Sequence, residues 1–74
     1  MRDLYTISRE IRADWKNVWF GAEPYLCAME TLNTVNDDYG CDSGKSIVAY
    51  FLGNAMTWRG ETARRIKAEL KAML

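Results

Sequence analysis

The chain has 74 residues, of which 49% are apolar and 27% are charged. This balance is typical of one small globular domain and excludes a disordered chain. The formal net charge is zero, so no overall field attracts the chain to DNA or to an anionic membrane. A chain this short buries roughly 60% of the surface that its unfolded form exposes, which predicts modest stability.

The charges are unevenly distributed along the chain. Residues 21–42 contain five acidic residues and no basic ones, whereas residues 43–74 contain six basic and two acidic residues. The sequence therefore predicts an acidic surface from the middle of the chain and a basic one from its end.

The sequence lacks the features of an exported or membrane-spanning chain. No apolar run approaches the ~18 residues of a membrane span, and the first residues lack an apolar export core. Cys27 and Cys41 have no CxxC spacing, which is typical of reduced cysteines. We therefore expect a cytoplasmic protein without membrane contact, in which Cys27 is a buried small apolar residue.

The first predicted helix begins after Asp3, whose carboxylate suits the N-cap, and ends near Gly21. Trp19 and Phe20 are expected to fold back onto the core. The apolar stripe that predicts this helix has steps of three and four residues and comprises Leu4, Ile7, Ile11, Trp15 and Val18.

Three further helices follow. Pro24 fits the first turn of the second helix, and a polar loop then leads to a third helix capped by Asp42 or Ser43. Thr57 is the predicted cap of a fourth helix that contains Gly60. The expected inward residues of the third and fourth helices are Ile47, Val48, Phe51, Leu52, Ala55, Ala63, Ile66, Leu70 and Met73.

Arg65 is predicted to form i,i+4 ion pairs with Glu61 and Glu69 along the fourth helix. No segment alternates with period two over a useful length. The fold prediction is therefore an all-α single domain over residues 1–74, a small bundle of three or four short helices.

Two segments resemble ligand-binding motifs, but their residue spacing does not match those motifs. Ser43-Gly44-Lys45-Ser46 lacks the earlier glycine of a phosphate-binding loop, because Tyr39 stands at that position. The acidic loop from Asn36 has Ile47 where a calcium loop requires a carboxylate. The chain also has no His, so we predict a protein that is not an enzyme, with no catalytic residues, cofactor or metal.

The candidate partner-binding residues lie in two places. Asp37, Asp38 and Asp42 surround Tyr39 in the acidic loop, which suits a basic partner surface. Trp58 and Arg59 lie between the last two helices. Trp58 is expected to plug the end of the bundle; the alternative is that Trp58 and Arg59 are exposed together as a binding hot spot.

A nucleic-acid site is the alternative. Arg64, Lys67 and Lys71 share one face of the last predicted helix, and a second basic stripe on the first helix comprises Arg9, Arg12 and Lys16. The two stripes matter together only if folding sets them side by side. Ala49 and Gly53 match a helix-turn-helix step, but Arg59 then stands where that motif has a buried aliphatic residue.

The stretch from Asp42-Ser43-Gly44-Lys45-Ser46-Ile47-Val48 to Thr57-Trp58-Arg59-Gly60-Glu61-Thr62-Ala63-Arg64-Arg65-Ile66-Lys67 resembles small proteins carried by bacteriophages and integrative mobile elements. The resemblance covers a little over half of the chain and assigns no functional residues. It implies an accessory protein that blocks a bacterial host complex by direct contact, with a defence system such as a CRISPR effector as the leading example.

Three functions follow as expectations. The first is a non-enzymatic binding protein that inhibits a bacterial host protein or protein–nucleic-acid complex in the cytoplasm of that host. The second is a small DNA-binding accessory or regulatory protein. The third is a homodimeric structural subunit that buries its surplus aromatic residues across a twofold axis.

Overall fold

The apolar stripes fold as helices over most of the chain. The computed structural model describes residues 2–74, in which four helices and one two-stranded antiparallel ribbon enclose a single core. The elements are α1 (Leu4–Asp14), α2 (Glu23–Met29), β1 (Asp38–Tyr39), β2 (Asp42–Ser43), α3 (Gly44–Gly53) and α4 (Glu61–Lys71). The prediction of a mostly helical domain is confirmed, and the ribbon is an addition to it.

Helix α1 begins as the sequence predicts and ends earlier. The Asp3 carboxylate accepts from the Thr6 amide at 2.7 Å and caps the helix. The predicted end near Gly21 is wrong, because Trp15 leaves the helix in an extended conformation and enters the core. Residues 15–22 therefore form a connecting segment outside the helix.

The start of α1 lies against the segment that follows α2. The Leu4 amide donates to the Asn33 carbonyl at 2.8 Å, and the Tyr5 amide donates to the Leu32 carbonyl at 3.1 Å. The first amides of a helix have no acceptor within the helix. These two bonds therefore supply acceptors for two amides of α1 and attach its start to the end of α2.

Helix α2 has Pro24 in its first turn, as predicted, and buries Leu26 and Met29. The prediction that Cys27 is buried is wrong, because its thiol lies on the exposed side of this short helix. Cys41 is exposed as well. The apolar spacing thus predicts the helix, whereas Cys27 lies outside the face that buries Leu26 and Met29.

The predicted polar loop contains the ribbon. Asp38 pairs with Ser43 and Tyr39 pairs with Asp42. Gly40, with φ of 60°, begins the two-residue turn, and a positive φ at this position favours glycine. Strands of two exposed residues are too short to produce an alternating pattern, so they could not be predicted from the sequence.

Helix α3 begins where the ribbon ends. Ser43 caps it by accepting from the Ser46 amide at 3.1 Å, which selects one of the two predicted caps. The Gly44 amide donates to the Asp37 carbonyl at 2.7 Å. A β-carbon at Gly44 would lie 2.8 Å from the Val35 carbonyl oxygen, so this close approach requires glycine.

Helix α4 starts later than predicted. Gly60, with φ of 113°, precedes the first residue Glu61, so the predicted cap at Thr57 is wrong and Gly60 lies outside the helix. The expected inward residues Ala63, Ile66 and Leu70 are buried, and Met73 just beyond the helix is nearly so. A backbone with positive φ is the physical reason for the later start.

Three aromatic rings form one end of the core. Trp15 and Trp58 are stacked with centroids 5.7 Å apart, and Phe51 lies edge-on to both. The Trp58 indole N–H donates to the Asp14 carboxylate at 2.8 Å. Trp58 is only 2% exposed, which confirms that it plugs the end of the bundle.

Ion pairs connect the helices, and they differ from the predicted ones. Arg65 pairs with Glu10 of α1 rather than with Glu61 or Glu69. Arg2 bridges Glu10 at 2.7 Å and Glu69 at 2.6 Å. These contacts join the start of the chain, α1 and α4. Arg65 pairs between helices because packing brings it closer to Glu10 than to the glutamates of its own helix.

We predict opposite effects for two glycine substitutions. Gly44→Ala forces a β-carbon against backbone carbonyl oxygens and is expected to lower the free energy of unfolding by about 1–3 kcal/mol. Gly53→Ala at the end of α3 meets no atom within 4 Å and is expected to raise it by up to about 1 kcal/mol. Urea unfolding at pH 7 measures both. Equal effects of the two substitutions contradict the close approach at Gly44.

We also predict that acid weakens the ion pairs between α1 and α4. The Arg2 guanidinium holds the pKa of Glu10 and of Glu69 below the ordinary glutamate value. A lowered pKa in the folded state stabilises the fold above the unfolded pKa of about 4.3 and loses this contribution as the pH falls through the lower folded pKa.

Urea unfolding at several values between pH 7 and pH 3 tests this prediction. The Glu10→Gln, Glu69→Gln double variant should be less stable than the parent at pH 7, and this difference should shrink below about pH 4. Glu61→Gln is the control, because Glu61 forms no ion pair within residues 2–74. A difference that is constant with pH contradicts the prediction.

Candidate functional site

The ribbon presents part of the predicted acidic site. Asp38, Tyr39 and Asp42 are exposed, and we call them the acidic hairpin. Asp37 has a different role, because its carboxylate accepts from the amides of Asn33 at 2.9 Å and Thr34 at 3.0 Å. These bonds lower the pKa of Asp37 and commit the side chain to closing a turn.

The acidic segment 21–42 presents fewer unpaired carboxylates at the surface than its five acidic residues suggest. Arg12 pairs with Glu23 at 2.6 Å and also with Glu30. Since Asp37 closes a turn, only Asp38 and Asp42 of the five acids in residues 21–42 remain without a partner in the described structure. The expected broad acidic surface is reduced to the hairpin.

The two residues of the second predicted partner site, Trp58 and Arg59, lie in different environments. Trp58 is buried and Arg59 is exposed. The alternative in which both side chains form one exposed hot spot is therefore wrong, because Trp58 stacks on Trp15 and donates to Asp14. Arg59 alone remains available to a partner.

Arg59 lies in a groove that the sequence did not indicate. This groove has a volume of about 380 Å³, and we call it the aromatic groove. Phe20 is not a lining residue, but its ring packs on the lining residue Trp19 with centroids 4.2 Å apart, so it lies next to the groove. The lining residues are Trp19, Gly53, Asn54, Met56, Thr57 and Arg59.

The apolar residues of the aromatic groove are unusually exposed. Phe20 and Met56 are each 75% exposed, and Trp19 is 46% exposed. The prediction that Trp19 and Phe20 fold back onto the core is wrong, because Trp15 and Trp58 already fill this end of it. Tryptophan, phenylalanine, methionine and arginine are the residue types enriched in protein interfaces.

The absence of a β-carbon at Gly21 allows the Trp19 ring to lie close to the backbone. A β-carbon at Gly21 would lie 2.5 Å from the Trp19 indole nitrogen and 2.9 Å from the Asn54 side-chain oxygen. The indole therefore lies directly over the Gly21 backbone, on the same side as Asn54. This contact brings the connecting segment after α1 against the end of α3.

One signal in the sequence pointed to this groove. Nine aromatic residues are many for a core of this size, which indicates that some of them lie at the surface. The signal did not say which ones. The exposure of Met56 could not be predicted, because an isolated methionine between two helices is equally compatible with a core position.

A second groove adjoins the first at Arg59. It has a volume of about 340 Å³ and is lined by Trp58, Arg59, Gly60, Ala63, Arg64 and Lys67. Lys71 lies close enough to raise the local positive potential at Lys67. We call this the basic groove; two residues of the predicted nucleic-acid face, Arg64 and Lys67, line it, and Lys71 does not.

The cations of the basic groove differ in their availability. Lys67 donates to the Trp58 carbonyl at 2.6 Å, and its pKa is lowered by burial and then by the positive charges of Lys71 and Arg59. Arg59, Arg64 and Lys71 are exposed and form no ion pair within the described chain. Arg59 donates only a long hydrogen bond, at 3.4 Å, to the Met56 carbonyl. Three cations without an ion-pair partner therefore share this region with one half-buried lysine.

The two basic stripes do not form one track. Arg12 is committed to Glu23 and Glu30, which belong to α2 and its end. Arg9 lies over the Tyr5 ring at 6.0 Å from its centroid. The α1 stripe is thus interrupted by a structural ion pair, whereas the α4 face retains its charge.

Two specific features are absent from residues 2–74, a metal-binding cluster and a membrane-spanning helix. No cluster of three or more His, Cys, Asp or Glu side chains that suits a metal ion occurs there. None of the helices formed by these residues has both the length and the apolar character needed to cross a bilayer.

No protein-family model matches this chain, and no curated protein or solved structure is significantly similar to it. The arguments about function therefore start from the surface itself. Its main features are the aromatic groove, the basic groove that meets it at Arg59, and the acidic hairpin.

Proposed function

We propose that this chain is a non-enzymatic binding protein that acts by direct contact with another protein, through the aromatic groove. The observation that carries the proposal is the exposure of Trp19 and Met56 in one groove, with the exposed Phe20 ring packed on Trp19 beside it. Large apolar side chains gathered at one place mark interaction sites on small soluble domains.

The composition of the groove supports a protein partner. Tryptophan and arginine supply most of the binding energy in many interfaces, and here Trp19 and Arg59 line the same groove. The flexible Met56 side chain adapts to the shape of an incoming apolar group. The groove thus offers an apolar centre with a polar edge.

Inhibition of a bacterial host or defence complex is the second part of the proposal. It rests on the resemblance to small phage and mobile-element proteins, and on the small size of a chain that acts by covering a surface. In this function the groove holds the chain on its target, and the body of the domain blocks access to that target.

Affinity capture with matched variants tests the binding function. The tagged chain should retain a bacterial protein from lysate with and without nuclease treatment. The Phe20→Ser, Met56→Ser double variant should lose this protein by at least about tenfold, as expected for hot-spot residues. Both residues are 75% exposed, so the fold is expected to survive, and circular dichroism checks this.

The acidic hairpin supplies the matched control. The Asp38→Asn, Tyr39→Ser, Asp42→Asn variant also replaces an exposed aromatic residue by Ser, since Tyr39 is 46% exposed, but it does so outside the groove. It should retain the captured protein. Loss with the hairpin variant and retention with the groove variant would show that the wrong surface has been assigned, and loss after nuclease treatment would indicate a nucleic-acid partner.

The inhibitory function has a separate test in cells. Expression of the chain in bacteria that carry a CRISPR effector directed against a phage should raise the plaque count of that phage, and the groove variant should not. Plaque counts equal to those with an empty vector would exclude this defence system as the target. The capture result would be unaffected, because it measures binding alone.

A further inference from the structure

The aromatic groove and the basic groove are neighbours that share one lining residue. Arg59 lines both of them. Trp19 and Met56 lie on one side of it, and Arg64 and Lys67 lie on the other. A partner that covers Arg59 therefore contacts an apolar region and a cationic region at once.

The cations near Arg59 differ from the three arginines that pair with glutamates. Arg2, Arg12 and Arg65 each contact a glutamate. Arg59, Arg64 and Lys71 have no such partner within residues 2–74, and like charges crowd around Lys67. A ligand with negative charges would relieve this repulsion.

We propose that the surface binds an acidic protein segment, which places a large apolar side chain in the aromatic groove and its carboxylates on Arg59, Arg64 and Lys71. This inference rests on the proposed function and names the chemistry of its partner. Charge complementarity of this kind selects partners and speeds their association, while the apolar side chain provides the anchor.

The same surface fits a nucleic-acid strand less well. Binding to single strands uses ring faces on which bases stack, but the Trp19 and Phe20 rings pack on each other at an interplanar angle of 52°. Lys67 is bonded to the Trp58 carbonyl, and the chain has no net positive charge. Met56 in the groove lining suits a protein side chain rather than a base.

Selection from a displayed library of random 16-residue peptides tests the proposal on the full chain. Enriched peptides should combine several Asp or Glu residues with at least one Leu, Phe or Trp. A synthetic copy of the most enriched peptide should lose about tenfold in affinity when its acids are replaced by amides, and a similar factor when its apolar residue is replaced by Ser.

Variants of the chain assign the two halves of the surface. Phe20→Ser with Met56→Ser, and separately Arg59→Glu with Lys71→Glu, should each weaken this peptide by about tenfold or more. The hairpin variant Asp38→Asn, Tyr39→Ser, Asp42→Asn should bind it unchanged. Raising the salt concentration should weaken the parent complex and have less effect on the Arg59→Glu, Lys71→Glu variant.

Several results would overturn the proposal. They are enrichment of neutral or basic peptides, no enrichment at all, tight binding of a (dT)20 oligonucleotide to the Arg59 surface, or a dimer in sedimentation that the groove variant abolishes. If lysate capture still depends on Phe20 and Met56 while the selected peptides are not acidic, the proposed function stands and only this inference fails.

Discussion

The stacking of Trp15 on Trp58 is the contact on which the rest of the structure depends. It joins the end of α1 to the segment before α4, with Phe51 of α3 edge-on to both rings. Trp15 reaches this position only by leaving the helix, so α1 ends at Asp14. The following segment then runs outside a core that is already filled, and this places Trp19 and Phe20 at the surface.

Trp58 also connects the core to the charged surface. Its ring is buried, its carbonyl accepts from the Lys67 ammonium, and its indole nitrogen donates to Asp14. Because Trp58 points inward, the adjacent Arg59 lies at the surface, where it lines both grooves. One buried residue thus positions the point at which the apolar and cationic regions meet.

Local patterns predicted the helices and their buried faces, and the cap at Asp3, because these depend on neighbours three and four residues away. They failed where distant residues compete. The packing of Trp15 in the core ends α1 before Val18, although the apolar stripe continues to that residue. Arg65 pairs with Glu10 of α1 instead of with Glu69 of its own helix. The aromatic groove was beyond prediction, since it joins the segment after α1 to the end of α3. The basic face of α4 was predictable because one helix supplies most of it.

The charges divide into those that hold the fold and those that do not. Arg2, Arg12 and Arg65 connect helices through glutamates, so their removal breaks contacts between elements. Arg59 and Lys71 form no ion pair in residues 2–74 and repel Lys67, so reversing their charge relieves a repulsion within the folded chain. Charges that take no part in joining helices are available to a partner, and this is the physical basis on which we propose a binding surface around Arg59 and Lys71.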